Sequence, residues 1–154
     1  MDTAIYDKCN GVNIIKISGK ATMKNVTSIE KILDESDKTP ILDFTETTYL
    51  DSTFLGLIAK YTMIFKKKND EYLNLLKPNK EIINILKQTG ILKFLIILDE
   101  EILIEGKKIQ NLPANPKQIL ELHETLMNLN EENKKTFASV VEQMKKVVGN
   151  KDDE

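Results

Sequence analysis

The stretch Ile41-Leu42-Asp43-Phe44-Thr45-Glu46-Thr47-Thr48-Tyr49-Leu50-Asp51-Ser52-Thr53-Phe54-Leu55-Gly56-Leu57-Ile58 decides how the rest of the chain reads. Its first four residues follow Pro40 and are mostly apolar, which suits a short buried strand. A polar link comes next. From Asp51 onward Phe54, Leu57, Ile58, Tyr61, Ile64 and Phe65 recur at helical spacing. Asp51 therefore stands at a helix start, where its carboxylate can accept from the orphan N–H groups of the first turn. Ser52 and Thr53 fall on that turn, with their hydroxyls expected near solvent. A helix N-terminus favours an added phosphate through its free N–H groups and dipole. The turn is thus a sensible place for a phosphorylation switch. Asp/Ser/Thr clusters are also ordinary helix caps, and Gly56 can simply let the helix pack closely against a strand. Spacing alone does not separate these readings.

Upstream, Val12 to Ser18 reads as a strand closed by Gly19, and Ala4 to Lys8 as a shorter edge strand turned back at Asn10-Gly11. Val26, Ile29, Ile32 and Leu33 predict an amphipathic helix over roughly 24–36. Downstream, the central helix ends in Lys66-Lys67-Lys68, where cations suit the dipole. Tyr72 to Leu76 is the next strand. Asn79 opens a helix that Gly90 stops, and Leu95 to Leu98 is a last apolar strand. Strands alternating with helices imply a mixed, mostly parallel sheet of four or five strands under helical cover. The stretch 99–112 is either an extra hairpin or a loop.

Pro113 and Pro116 mark a change of composition, dividing a domain over 1–112 from a helical extension over 113–154. Leu122, Leu126 and Leu129, then Phe137, Val141, Met144 and Val148, form apolar stripes. They slip out of register at Asn130-Glu131-Glu132-Asn133. This predicts either one helix, about 48 Å long over 117–148, or two helices broken near Asn130. The stripes cannot all face water cheaply, so the extension should dock on its own domain, pair with a second copy, or seat a partner helix. Gly149 to Glu154 reads as a frayed, acidic end.

Composition narrows the function. The 154 residues are 41 % hydrophobic and 30 % charged, a globular balance with room for one real core. No apolar run approaches a membrane span. Met1 to Asn10 mixes both signs of charge and does not read as a secretory signal. With Cys9 the single cysteine, the expectation is a reducing cytoplasm. All basic residues are lysine and the net charge is −2, which argues against a dedicated nucleic-acid binder. One histidine and one cysteine cannot make a zinc set. Nothing orients a Cys9–His123 dyad. His123 reads as a polar residue of the extension and Cys9 as a small residue near a strand edge.

An enzyme would have to find its chemistry elsewhere. Ser52 lacks the Gly-x-Ser-x-Gly elbow, and Asp43-Phe44-Thr45 lacks the second acid of an aspartyl-phosphate hydrolase. There is no glycine-rich phosphate loop, and Asp99-Glu100-Glu101 sits beside a turn. No catalytic residue, metal ligand or cofactor is expected.

The order of elements, with Leu42-Asp43, Leu50 and Asp51-Ser52-Thr53-Phe54-Leu55-Gly56, resembles the STAS family, the fold of bacterial anti-sigma factor antagonists. The resemblance covers about residues 3–100. It implies a regulatory protein-binding domain whose partner is an anti-sigma factor that is itself a serine kinase. It implies Thr53 as the phosphoacceptor, with Ser52 as its alternative, and Thr22, Asp51, Ser52, Thr53 and Phe54 as the partner-binding residues. The chain departs from the family pattern twice. Phe54 replaces the glycine after the acceptor, and Thr22 stands where an acidic residue is common. The other reading is a constitutive STAS-type adaptor that docks or self-associates through its C-terminal helices.

Overall fold

The chain first folds back at Asn10-Gly11, where both residues hold positive φ, 52° and 81°. A two-residue turn of this kind twists in the sense of the strands it joins. It pairs β1 (Thr3–Cys9) antiparallel with β2 (Val12–Ala21). The computed structural model describes the backbone of residues 2–152 and the side chains of residues 2–149. β3 (Ile41–Asp43) runs parallel to β2 with Leu42 opposite Ile15. β5 (Leu73–Leu76) and β6 (Leu95–Leu98) extend the sheet in the same sense. α1 (Val26–Asp34), α2 (Ser52–Asn69) and α3 (Lys80–Gln88) make the crossovers. The result is the mixed, mostly parallel sheet that the alternation predicts.

Two short strands enlarge it. β2 is ten residues long and β3 only three, so the second half of β2 is left with an unpaired edge. β4 (Thr47–Leu50) fills that edge, Gly19 lying opposite Thr47 and Ala21 opposite Leu50. The polar link is therefore a strand that buries Thr47 and Leu50 and exposes Thr48 and Tyr49. β7 (Lys107–Lys108), within the stretch read as hairpin or loop, pairs antiparallel with Ile5 and Tyr6 on the outer edge of β1.

The extension is two helices, α4 (Pro116–Met127) and α5 (Glu131–Asp152), not one rod. Asn115 and Gln118 form a reciprocal capping box with Pro116 at the first helical position. Asn130 breaks the run and starts α5, its side-chain oxygen accepting from Asn133 N at 2.8 Å. Asn130 and Asn133 also donate to the Thr89 carbonyl at 3.1 and 2.8 Å, tying this turn to the end of α3. Of the frayed end read from Gly149 onward, the backbone is helical as far as Asp152, and Asp153 and Glu154 lie outside the described residues.

The core is aliphatic with a few aromatics, as a chain without tryptophan requires. Ile15, Ile17, Leu42, Phe44 and Leu75 of the sheet region pack with Phe54, Ile58, Tyr61 and Phe65 of α2. These four α2 residues recur at intervals of four, three and four, which places them on one face. Tyr61 keeps its hydroxyl satisfied by donating to Asp34 Oδ1 at 2.6 Å. Burial, with that bond adding to it, pushes its pKa far above the usual phenol range. Leu122 and Leu126 of α4 belong to the same buried cluster, so the extension docks on its own domain.

Leu42 occupies the middle of the sheet with neighbours on both flanking strands. Leu42→Ala should lower unfolding stability by about 2–5 kcal/mol. Urea titration followed by circular dichroism would show this as a lower midpoint at unchanged slope.

Candidate functional site

Asp51 organises the start of α2 from three directions. Its Oδ1 accepts from Phe54 N at 2.8 Å, which caps the helix. Its Oδ2 accepts from Met23 N at 2.9 Å, and its own N–H donates to the Ala21 carbonyl at 3.1 Å. The carboxylate thus fastens the end of β2 and the short turn Met23–Asn25 to α2. Thr22 caps that turn, its hydroxyl accepting from Lys24 N at 3.3 Å. Of the residues read from the sequence, Thr22, Asp51 and Ser52 are brought together at a partly exposed surface.

Thr53 and Phe54 lie elsewhere. The expectation of a solvent-facing Thr53 hydroxyl is corrected, because Thr53 is only 4 % exposed. Phe54 is fully buried and sets its ring 6.2 Å from Phe44. It begins the inward stripe that continues to Ile58 and Tyr61, so helical geometry points it into the core and away from the surface. In this structure it is not a surface residue for a partner.

The extension covers a second side of α2. All of residues 53–59 are buried, which an amphipathic helix resting on a sheet alone would not achieve. α4 covers the other side. A Cβ built at Gly56 would collide with the Leu122 carbonyl oxygen and lie 2.8 Å from Leu122 Cβ. Gly56 therefore permits the close approach of a helix, where the sequence suggested a strand.

His123, one residue along α4, is 3 % exposed and not a surface residue of the extension. Its Nδ1 is 2.8 Å from the Ile119 carbonyl oxygen, which can only accept. In the neutral ring Nδ1 therefore carries the proton, and Nε2 presents a lone pair. Ser52 lies 2.8 Å away and donates its hydroxyl to that lone pair. Phe137 of α5 meets the imidazole edge-on at 6.0 Å between centroids. Cys9 is exposed at the end of β1, and the hydroxyl that pairs with His123 is Ser52.

Ser52 and His123 together form a hydroxyl–imidazole pair oriented by a third group, the local pattern of an activated nucleophile. Its setting is a packed helix–helix contact. The bond ties the Ser52 hydroxyl to α4. Among the described residues no group of three or more His, Cys, Asp or Glu side chains could hold a metal ion. No described helix is long and apolar enough to cross a membrane.

Beside the pair, Met23 and Tyr49 are exposed at 39 % and 49 %, two large apolar side chains flanking Asp51. The sequence reading missed both. Tyr49 could have been found from the alternation in Thr47-Thr48-Tyr49-Leu50, had the link been read as a strand. Near the other end of β4, Lys16 and Glu46 pair at 2.7 Å. Their hydrogen bond raises the lysine pKa and lowers that of the glutamate. The exposure of Glu46 keeps the energetic weight of this pair small.

No protein-family model matches the sequence, and no curated protein sequence does. Among solved structures, the chain is similar to the anti-sigma factor antagonist SpoIIAA in its unphosphorylated form. The TM-score is 0.55 at 16 % sequence identity, over 63 % of this chain and 89 % of that chain. The fold is therefore STAS-like: a mixed, mostly parallel sheet with helical cover.

Proposed function

We propose that this chain is a non-catalytic regulatory module that works by binding another protein, in the manner of an anti-sigma factor antagonist. The observation that carries the reading is the convergence of Thr22, Asp51 and Ser52 on one partly exposed surface flanked by Met23 and Tyr49, within a STAS-like fold. Exposed aromatic and methionine side chains are the residue types that anchor protein interfaces. The partner on this reading is an anti-sigma factor with serine-kinase activity, and the acceptor is a hydroxyl of the first α2 turn. Motif position favours Thr53. Exposure favours Ser52, since a kinase must surround the hydroxyl it modifies.

A specific observation also supports the constitutive adaptor. Both candidate hydroxyls are held back, one by burial and the other by His123. An adaptor would use the exposed surface without modification.

Recovery of partners from the native cell, followed by incubation with the recovered kinase and Mg-ATP and mapping by mass spectrometry, separates the two. The switch reading expects phosphate on Ser52 or Thr53, and loss of it in Ser52→Ala or Thr53→Ala. A bound partner without any phosphate leaves the adaptor. Ser52→Glu is the interpretable mimic, because glutamate at position 53 would place a charge in a buried site. It should weaken partner binding about tenfold or more, the factor for each 1.4 kcal/mol lost. Asp51→Ala removes two charge-assisted acceptors at once. It should lower stability by about 1–2 kcal/mol and also reduce binding, read by thermal unfolding and by titration calorimetry with the recovered partner.

A further inference from the structure

The two edges of the sheet are built differently. β7, outside β1, is two residues long, and both Lys107 and Lys108 are exposed. A short edge of like charges repels an added strand. β6, at the other end, is Leu95-Ile96-Ile97-Leu98, with no charge, proline or glycine to guard it. Ile96 and Ile97 are exposed at 45 % and 38 %. Successive strand residues point to opposite faces, so this margin is open on both faces. The backbone is open as well. Lys77 N donates to the Leu98 carbonyl at 2.9 Å, so Leu98 and, by alternation, Ile96 turn their peptide groups toward β5. Leu95 and Ile97 turn theirs outward. The Leu95 N–H is taken by the Leu92 carbonyl. Among the described residues the Leu95 carbonyl and both backbone groups of Ile97 are left without a protein partner. The ends of the strand differ in charge: Lys93 precedes it and Asp99-Glu100-Glu101 follows it, all four exposed.

We propose that β6 is a self-association edge, which pairs antiparallel with β6 of a second copy about a two-fold axis at Ile97. In that register the two Ile97 residues exchange N–H···O bonds, and each Leu95 carbonyl lies opposite Asp99 of the other copy. Ile96 sits across from Leu98 of the other copy, an apolar pair on one face. Lys93 comes toward the acidic run of the other copy, whereas a parallel arrangement would set lysine beside lysine and acid beside acid. The strand is thus its own complement, which is why a second copy is the occupant. The pairing consumes both β6 edges and leaves only the lysine-guarded β7 edges outward, so the assembly closes as a dimer and does not grow into a longer sheet. β5 and β3 stand between β6 and β2. The contact is therefore separate from the Asp51 surface and does not depend on how that surface is used.

Sedimentation velocity of the full chain, from micromolar to near-millimolar concentration, should show a reversible monomer–dimer equilibrium. A monomer throughout overturns the proposal. Ile97→Lys puts two cations side by side on the axis and should raise the dimer dissociation constant about tenfold or more. Lys93→Glu changes an exposed residue outside the strand and should raise it by a smaller factor that shrinks in high salt. Circular dichroism checks that each variant is folded, and if Ile97→Lys is not, Lys93→Glu decides. A dimer of unchanged affinity in the folded variants refutes the edge and places the contact elsewhere. The register is tested by Ile97→Cys in a Cys9→Ser background, Cys9 being exposed. Hydrogen-bonded antiparallel partners have Cα atoms about 5.5 Å apart, within the span of a disulfide, so mild oxidation should give a covalent dimer. A dimer that persists without cross-linking rules out the axis at Ile97.

Discussion

The carboxylate of Asp51 accepts from two backbone N–H groups that belong to different elements, Met23 on the turn after β2 and Phe54 on the first turn of α2. With its own N–H bonded to Ala21, one residue sets the end of β2, the entry to α1 and the axis of α2 relative to each other. A carboxylate bridging two backbone donors is stronger than two neutral bonds and tolerates little rotation. That constraint places Thr22 beside Ser52. It also fixes which residues of α2 face inward, because the helix starts at a defined azimuth and then turns 3.6 residues per revolution.

From that azimuth the fate of the Ser-Thr-Phe triplet follows. Phe54 enters the core, Thr53 is covered, and Ser52 is left at the margin. A surface Ser52 on an isolated domain would be hydrated. Here it meets the one histidine of the chain, delivered from 71 residues further along. The imidazole is held in a single tautomer by a carbonyl of its own helix. The bond satisfies a buried ring nitrogen that would otherwise carry a desolvation cost of about 1–3 kcal/mol. It therefore specifies where α4 sits more than it adds net stability.

The extension changes what kind of object the domain is. A STAS-like sheet with its helices already has a buried core, yet α2 has a second apolar side with nothing from the sheet to cover it. The α4–α5 hairpin supplies that cover and closes the contact at Gly56, where any side chain would hold the helices apart. The likeness to SpoIIAA extends over 63 % of the chain. Tyr49 and Met23 remain in solvent beside the covered face, so part of the surface is open while the helical groove next to it is filled.

Much of this was legible from local pattern. The alternation of apolar strands with amphipathic helices, the Asn10-Gly11 turn and the Asp51 and Asn79 caps are each determined within a few residues, by backbone sterics and by hydrogen bonds to the nearest N–H groups, whereas the register slip at Asn130 left one helix or two open. The sequence by itself therefore determined the order of the main strands and helices up to Leu98, the STAS-like sheet and the presence of a polar turn at Asp51-Ser52-Thr53. It did not reveal β4, because a strand that pairs with the free half of β2 is defined by its partner and not by its own apolar content. Nor did it reveal the burial of Thr53 or the bond between Ser52 and His123, since neither residue carries any local sign of the other. Only the tertiary structure decided those, because exposure and side-chain pairing depend on which distant segments arrive, and the close seat of α4 that brings His123 to Ser52 depends on a leucine fitting against Gly56.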